Sequence, residues 1–192
     1  MSATISSFGI TRHAVSGVIR HSIVILAMLV TPMLSGAEGE ELGITAPGEA
    51  VPGGQAPDFQ LRDLEQNLVR LAELRCKPVV LNFFASWCGP CLKELPLIQA
   101  AYLDSEQDGF LVLGVGYQDS RWAIESLADD VGLTFPIVID GDNSVGQAYR
   151  VVGPPYTFFI DANGVVVEVV AGAMERQTLQ RNLDKLLKVN RI

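Results

Sequence analysis

The chain has 192 residues with 22 Asp plus Glu against 14 Lys plus Arg, a formal net charge of −8. A surface this acidic excludes nucleic acid and anionic membrane as ligands. With 48% hydrophobic residues, a chain of this length buries a core sufficient for one domain, so any cysteine pair is free for function rather than needed as a staple.

Arg12, Arg20 and His21 precede an apolar stretch over 23–34 that only Thr31 and Pro32 interrupt, and the small residues Ser35, Gly36 and Ala37 follow. That order is the pattern of a secretory signal. Its apolar core of about a dozen residues is short for a bilayer span, which takes about 20. Two readings stay open for 1–37: a signal peptide cut after Ala37, or an uncleaved membrane anchor over 18–37. The stretch holds no cysteine, so no lipidated N-terminus is expected. Both histidines, His13 and His21, fall in it. The mature domain then has no imidazole, which excludes Cys-His nucleophilic catalysis and histidine-ligated zinc.

Residues 38–57, rich in Gly, Pro and Glu and without periodicity, read as a flexible tether. The domain is expected over 58–192. It opens with a short hairpin, 59–61 with 68–70, turning at Glu65, Gln66 and Asn67, then a helical turn up to Leu74. The apolar run 78–84 (PVVLNFF) has the length and bounds of a strand buried on both faces. Leu92, Leu95, Ile98, Tyr102 and Leu103 recur at helical spacing over 89–106, with Pro96 expected to kink that helix. A second buried strand follows over 110–117, then a helix over 121–131 with Trp122, Leu127, Ala128 and Val131 inward. A short strand over 136–139 and a short helix over 144–149 come next. Residues 157–160 and 165–170 form a hairpin around the turn 161–164. An amphipathic helix over 175–189 closes the chain with Leu179, Leu183, Leu186 and Leu187 on one face. Strands alternating with helices, then a hairpin and a helix, predict an α/β domain with a mixed sheet and helices on both faces.

The chemistry concentrates at Cys88 and Cys91, in WCGPC (87–91), where the strand 78–84 passes into a helix. A structural zinc site needs four ligands, and beyond this pair the chain has only Cys76 and no mature histidine. A c-type haem attachment needs His after the second cysteine, where Leu92 stands. A structural disulfide between residues three apart closes too small a loop to stabilise much. Redox catalysis remains. Cys88 stands where unpaired N–H groups and the positive end of the helix dipole favour thiolate over thiol, which makes it the nucleophile. Cys91, one turn further in and shielded, is then the resolving thiol that breaks the mixed disulfide. Gly89 and Pro90 permit a tight helix start, and Trp87 is expected at the rim as a flat contact surface for substrate.

WCGPC after an apolar strand, Pro96 in the helix that follows, and GPPYTFFID (153–161) resemble the thioredoxin superfamily. More narrowly, APDFQL, LAELRCKPVVLNFFASWC and TFFIDANG resemble the TlpA, ResA and DsbE branch of exported, often membrane-tethered thiol-disulfide oxidoreductases, over about 56–192. The resemblance implies a thioredoxin fold, here with an N-terminal hairpin and one extra strand-helix insertion between Cys91 and Pro155. It also implies a reducing role in the periplasm or another extracytoplasmic compartment, protein disulfide clients, and electrons from a membrane thiol reductase of the DsbD or CcdA type. No cofactor beyond the redox-active Cys88–Cys91 pair and no metal is implied, and membrane contact only through an N-terminal anchor.

Within that resemblance Pro155 matches the cis-proline packed against the two sulfurs, an isomer that X-Pro bonds adopt only about 5% of the time. The residue before it normally docks the substrate strand through its own N–H and C=O. Here it is Pro154, which has no N–H, so recognition is expected to fall on side chains such as Trp87 and Tyr156. Asn82 stands where thioredoxin carries a buried carboxylate that helps deprotonate the resolving cysteine. Glu94, three residues after Cys91, is the position that serves instead in this branch. Either it takes up the Cys91 proton or it is a solvated helix residue. Cys76 occupies a position where the family usually has a small residue such as Gly, and a bystander thiol is expected.

The leading reading is a reductase of protein disulfides in cytochrome c maturation or copper-site assembly. Its Gly-Pro dipeptide points toward a potential near about −270 mV rather than about −120 mV. A DsbA-type oxidant would carry a large helical insertion between Cys91 and Pro155. A thiol peroxidase would place Thr and Pro just before the reactive cysteine, where Ala85, Ser86 and Trp87 stand. A non-catalytic copper carrier would bind metal through both thiols, which titration of the reduced chain discriminates.

Overall fold

The structure, a computed structural model, describes residues 42–189. The signal or anchor expected over 1–37 lies outside the described residues. No helix among the described residues is long and apolar enough to cross a membrane.

Three short strands, β1 (Gly43–Ala46), β2 (Asp58–Arg62) and β3 (Leu68–Arg70), form an antiparallel sheet in the order β1-β2-β3, followed by a 3-10 turn over Leu71–Leu74. The expected hairpin is therefore the β2–β3 pair, and β1 extends it. Residues 43–57 are not a tether: Ile44 pairs with Phe59, Gln55 bridges to Val165, and Ala50 and Ala56 are buried. The glycines there serve tight geometry instead. Gly53 has φ +86°, and at Gly48 a Cβ would collide with the backbone of residues 55–57. Composition misled because turns and close backbone approaches use the same residues as flexible linkers.

The central sheet comprises β4 (Val79–Phe84), β5 (Leu111–Tyr117), β6 (Ile137–Asp140), β7 (Tyr156–Ile160) and β8 (Val166–Ala171) in the order β6-β5-β4-β7-β8. The β4–β5 and β5–β6 pairs are parallel, and β4–β7 and β7–β8 are antiparallel. This is the mixed sheet predicted from the order of elements. The parallel pairs are joined through α1 (Gly89–Asp108) and α2 (Arg121–Val131), while α3 (Ser144–Ala148) precedes β7 and α4 (Arg176–Val189) ends the described chain. The β6–α3 pair is the extra strand-helix unit.

Alternation along β4 divides the core. Val80 and Phe84 pack with Leu95, Ile98, Ile124, Leu127, Leu179, Leu183 and Leu186 from α1, α2 and α4. Val79, Leu81 and Phe83 face the other way, with Phe59, Leu61, Val145 and Tyr149. Tyr149 is the hub of that second layer: its ring centroid lies 6.1 Å from Phe59, 5.5 Å from Phe83 and 5.0 Å from Phe158. Its hydroxyl donates to the Pro57 carbonyl at 2.7 Å, tying α3 to the entry of β2.

Three side chains expected to face inward do not. Trp122 is 76% exposed, Leu103 65% and Leu92 42%. The inward residues of α2 are Ile124, Leu127 and Ala128, and Trp122, two residues before Ile124, points about 200° round the helix from it. On α1 the stripe runs through Cys91, Leu95, Ile98, Tyr102 and Ser105. Leu92 and Leu103 each follow a stripe position by one residue, about 100° off. The helix α1 is continuous through Pro96.

Candidate active site

The strand β4 ends at Phe84, and residues 85–88 form a short loop into α1. Cys88 is the N-cap of that 20-residue helix, with φ −92° and ψ 95°, and its Sγ accepts from the Cys91 backbone N–H at 3.2 Å. Pro90 falls in the first turn, where a missing N–H leaves no bond unmade. Cys88 and Cys91 form a disulfide, with S–S 2.02 Å and Cα atoms 5.3 Å apart. Both are buried, Cys91 more completely, at 1% exposure against 4%. A thiolate released on Cys88 stays at the positive end of the α1 dipole, beside an N–H already aimed at its sulfur.

The loop before Cys88 is held from the neighbouring strand. Asp119, just past the end of β5, accepts at Oδ2 from both the N–H and the hydroxyl of Ser86, at 2.8 and 2.7 Å. Its Oδ1 accepts from the Ser120 N–H at 2.8 Å. Sequence reasoning missed Asp119. The available signal was its place at the C-terminal end of a strand parallel to β4, the edge on which α/β sheets gather their functional loops.

Glu94 is buried at 1% exposure, which excludes a solvated helix residue. Its Oε1 accepts from Asn82 Nδ2 at 2.8 Å and from the Thr157 hydroxyl at 3.3 Å, and its Oε2 accepts from the Met174 N–H at 2.7 Å. Asn82 Nδ2 also donates to Thr157 Oγ1 at 2.9 Å, while Asn82 Oδ1 is buried without a hydrogen-bond partner. Burial raises the Glu94 pKa above the ordinary carboxylate value, and the three donors offset part of that rise. The carboxylate thus enters from α1, one turn past Cys91, rather than from β4. Thr157 and the Met174 amide complete a polar cluster that sequence reasoning did not assemble.

The Pro154–Pro155 peptide bond is cis. Antiparallel register places Tyr156 opposite Phe83 and Thr157 opposite Asn82, so Pro155 stands level with Phe84, at the mouth of the loop that carries Cys88. Pro155 is buried and Pro154 and Tyr156 are half-buried. Trp87 is 59% exposed, which places it on the rim rather than in the core.

Cys76 is exposed and lies ahead of β4, at the end opposite Cys88. A six-residue strand spans about 20 Å, so Cys76 does not reach the pair within one molecule. Its φ of +84° is the left-handed conformation that favours glycine, which accounts for the small residue expected there. Among the described residues no group of three His, Cys, Asp or Glu could hold a metal.

The model of the AhpC/TSA family matches residues 52–169. ResA, a thiol-disulfide oxidoreductase of Geobacillus kaustophilus strain HTA426, is 40% identical over 134 residues, 70% of this chain and 77% of that protein. ResA of Bacillus subtilis strain 168 is 38% identical over 122 residues, 64% and 68% of the two chains. Among solved structures, a secreted disulfide oxidoreductase of Mycobacterium tuberculosis superposes with a TM-score of 0.61, at 24% identity over 67% of this chain and 96% of that one, a likeness that speaks for the fold. A dithiol at a helix start, on a mixed sheet whose sequence matches these relatives over most of its length, leaves one assignment: the chain belongs to the AhpC/TSA family and is a thiol-disulfide oxidoreductase of the thioredoxin superfamily.

Proposed function

We propose that the chain reduces disulfides of protein clients outside the cytoplasm, with Cys88 as nucleophile, Cys91 as resolving thiol and Glu94 as proton acceptor. The observation that carries the reading is the Cys88 Sγ at the α1 N-cap, facing the Cys91 N–H. In the reduced chain the Cys88 thiolate attacks one sulfur of a client disulfide, forming a mixed disulfide and releasing the other client sulfur as thiolate. Glu94 takes the Cys91 proton. The Cys91 thiolate then attacks Cys88 Sγ, closing the Cys88–Cys91 bond and releasing the second client thiolate. Two electrons pass to the client, and a membrane dithiol donor of the DsbD or CcdA type restores the reduced pair.

Pro155 positions the client segment against the sulfurs, while Trp87, Pro154 and Tyr156 line its approach. The N-terminal stretch 1–37 directs export, as a cleaved signal or a retained anchor. Clients in cytochrome c maturation or copper-site assembly fit a reductant with a Gly-Pro dipeptide. The test is Cys91→Ser in the native compartment: a client held on Cys88 as a mixed disulfide is expected, and absence of any covalent adduct overturns the reading.

A further inference from the structure

Beside the dithiol, a groove of about 550 Å³ runs between α1 and α2, lined by Ser86, Leu92, Trp122, Leu127, Asp130 and Val131 among others. Ser86 lies at its active-site end, two residues before Cys88. Leu127 is buried in its floor, while Leu92 and Trp122 stand 42% and 76% exposed on its walls. Large apolar side chains left in solvent around a concave surface mark a place where another chain is received.

Charge says which chain. Asp130 is the one ionisable residue in the lining; it is exposed, and the whole protein carries −8. A cationic partner is drawn to this end of the groove and an anionic one repelled. Spacing adds a register. Asp130 follows Trp122 by eight helical residues, about 12 Å along α2, a distance that about four residues of extended chain cover.

We propose that this groove receives the client segment next to the client's reactive cysteine, extended, with a bulky apolar side chain between Leu92 and Trp122 and a Lys or Arg about four residues farther on at Asp130. This names the partner class of the dithiol and rests on the reductase reading above.

The test uses the full reduced chain and two synthetic peptides, each closed by one internal disulfide with an apolar residue beside the cysteine. One carries Lys four residues beyond the apolar position and the other Glu. Wild type is expected to prefer the Lys peptide in kcat/KM by about tenfold, the effect of one well-placed charge pair. Asp130→Lys is expected to invert the preference, and Trp122→Ala to raise KM for the Lys peptide by about tenfold with little change in kcat. Equal kcat/KM for the two peptides in wild type and Asp130→Lys overturns the assignment. So does sedimentation showing that wild type is a dimer that Trp122→Ala dissociates, since a second copy then fills the groove. Hydroxyethyl disulfide separates the two readings: a wild-type chain that reduces neither it nor the peptides sinks the reductase reading and the groove assignment with it, whereas its reduction with no peptide preference sinks the groove assignment alone.

Discussion

Asn82 donates its amide N–H to Glu94 at 2.8 Å, joining the middle of β4 to the second turn of α1 beneath the dithiol. The pair brings one carboxyl group into the core from the helix side and holds it with a neutral amide from the strand. Because burial raises the Glu94 pKa, the carboxyl loses its ability to accept a proton as pH falls through that raised value. Closure of the Cys88–Cys91 bond is therefore expected to slow on that acidic side. In Glu94→Gln the limb disappears and closure is slower at neutral pH. Stopped-flow release of a client thiol from the mixed disulfide, followed against pH, checks this, and an unchanged profile in Glu94→Gln refutes the role.

The same rise in pKa has a stability consequence. A carboxyl whose folded pKa lies above its unfolded value favours the fold while protonated, at pH below the unfolded pKa, and that contribution is lost as pH rises through the folded value. Urea midpoints of wild type minus Glu94→Gln are expected to fall between acidic and neutral pH. A difference that stays constant with pH contradicts the shift.

Asp119 holds Ser86 through two bonds to one oxygen. Asp119→Ala leaves the Ser86 N–H and hydroxyl without that acceptor, a loss of about 1–3 kcal/mol, and loosens the loop before Cys88. Lower stability in urea and slower client reduction are expected together. Asp119→Asn, which keeps an acceptor oxygen, is expected to recover part of both.

Pro154 has no N–H to give a client strand. Pro154→Ala restores that donor, and tighter client binding is expected, read as a lower KM for a disulfide peptide. An unchanged KM shows that main-chain docking at this position plays no part.

The Tyr149 hydroxyl bonds the buried Pro57 carbonyl, and its ring contacts aromatic side chains from β2, β4 and β7. Tyr149→Phe keeps the packing and removes the one donor, so a destabilisation of about 1–3 kcal/mol is expected, measured by urea unfolding. Tyr149→Ala is expected to lose more, because a cavity is added.

Read along the chain, local patterns carried far. The run 78–84 announced β4 (Val79–Phe84), the bounds of α2 matched helical periodicity, and WCGPC at a strand-helix junction located the dithiol, because each of these signals lies within one turn or one strand. Where reasoning went astray, long-range packing decided. Residues 43–57 have the composition of a linker and are ordered only because β2 and the β7–β8 turn stand ready to pair with them. Trp122 has the look of a core residue and faces solvent, since the angular position of Ile124 and Leu127 determines which side of α2 meets the sheet.

The sequence by itself determined the family and the place of the Cys88–Cys91 dithiol at a helix start, for a CxxC pair depends on neighbours three residues apart. Only the tertiary structure decided that Glu94 is buried, that Asn82, Thr157 and Met174 surround it, and that Asp119 holds the catalytic loop. Those contacts join residues 12 to 80 positions apart, and hydrogen bonds over such separations exist only once the sheet has set its strand order.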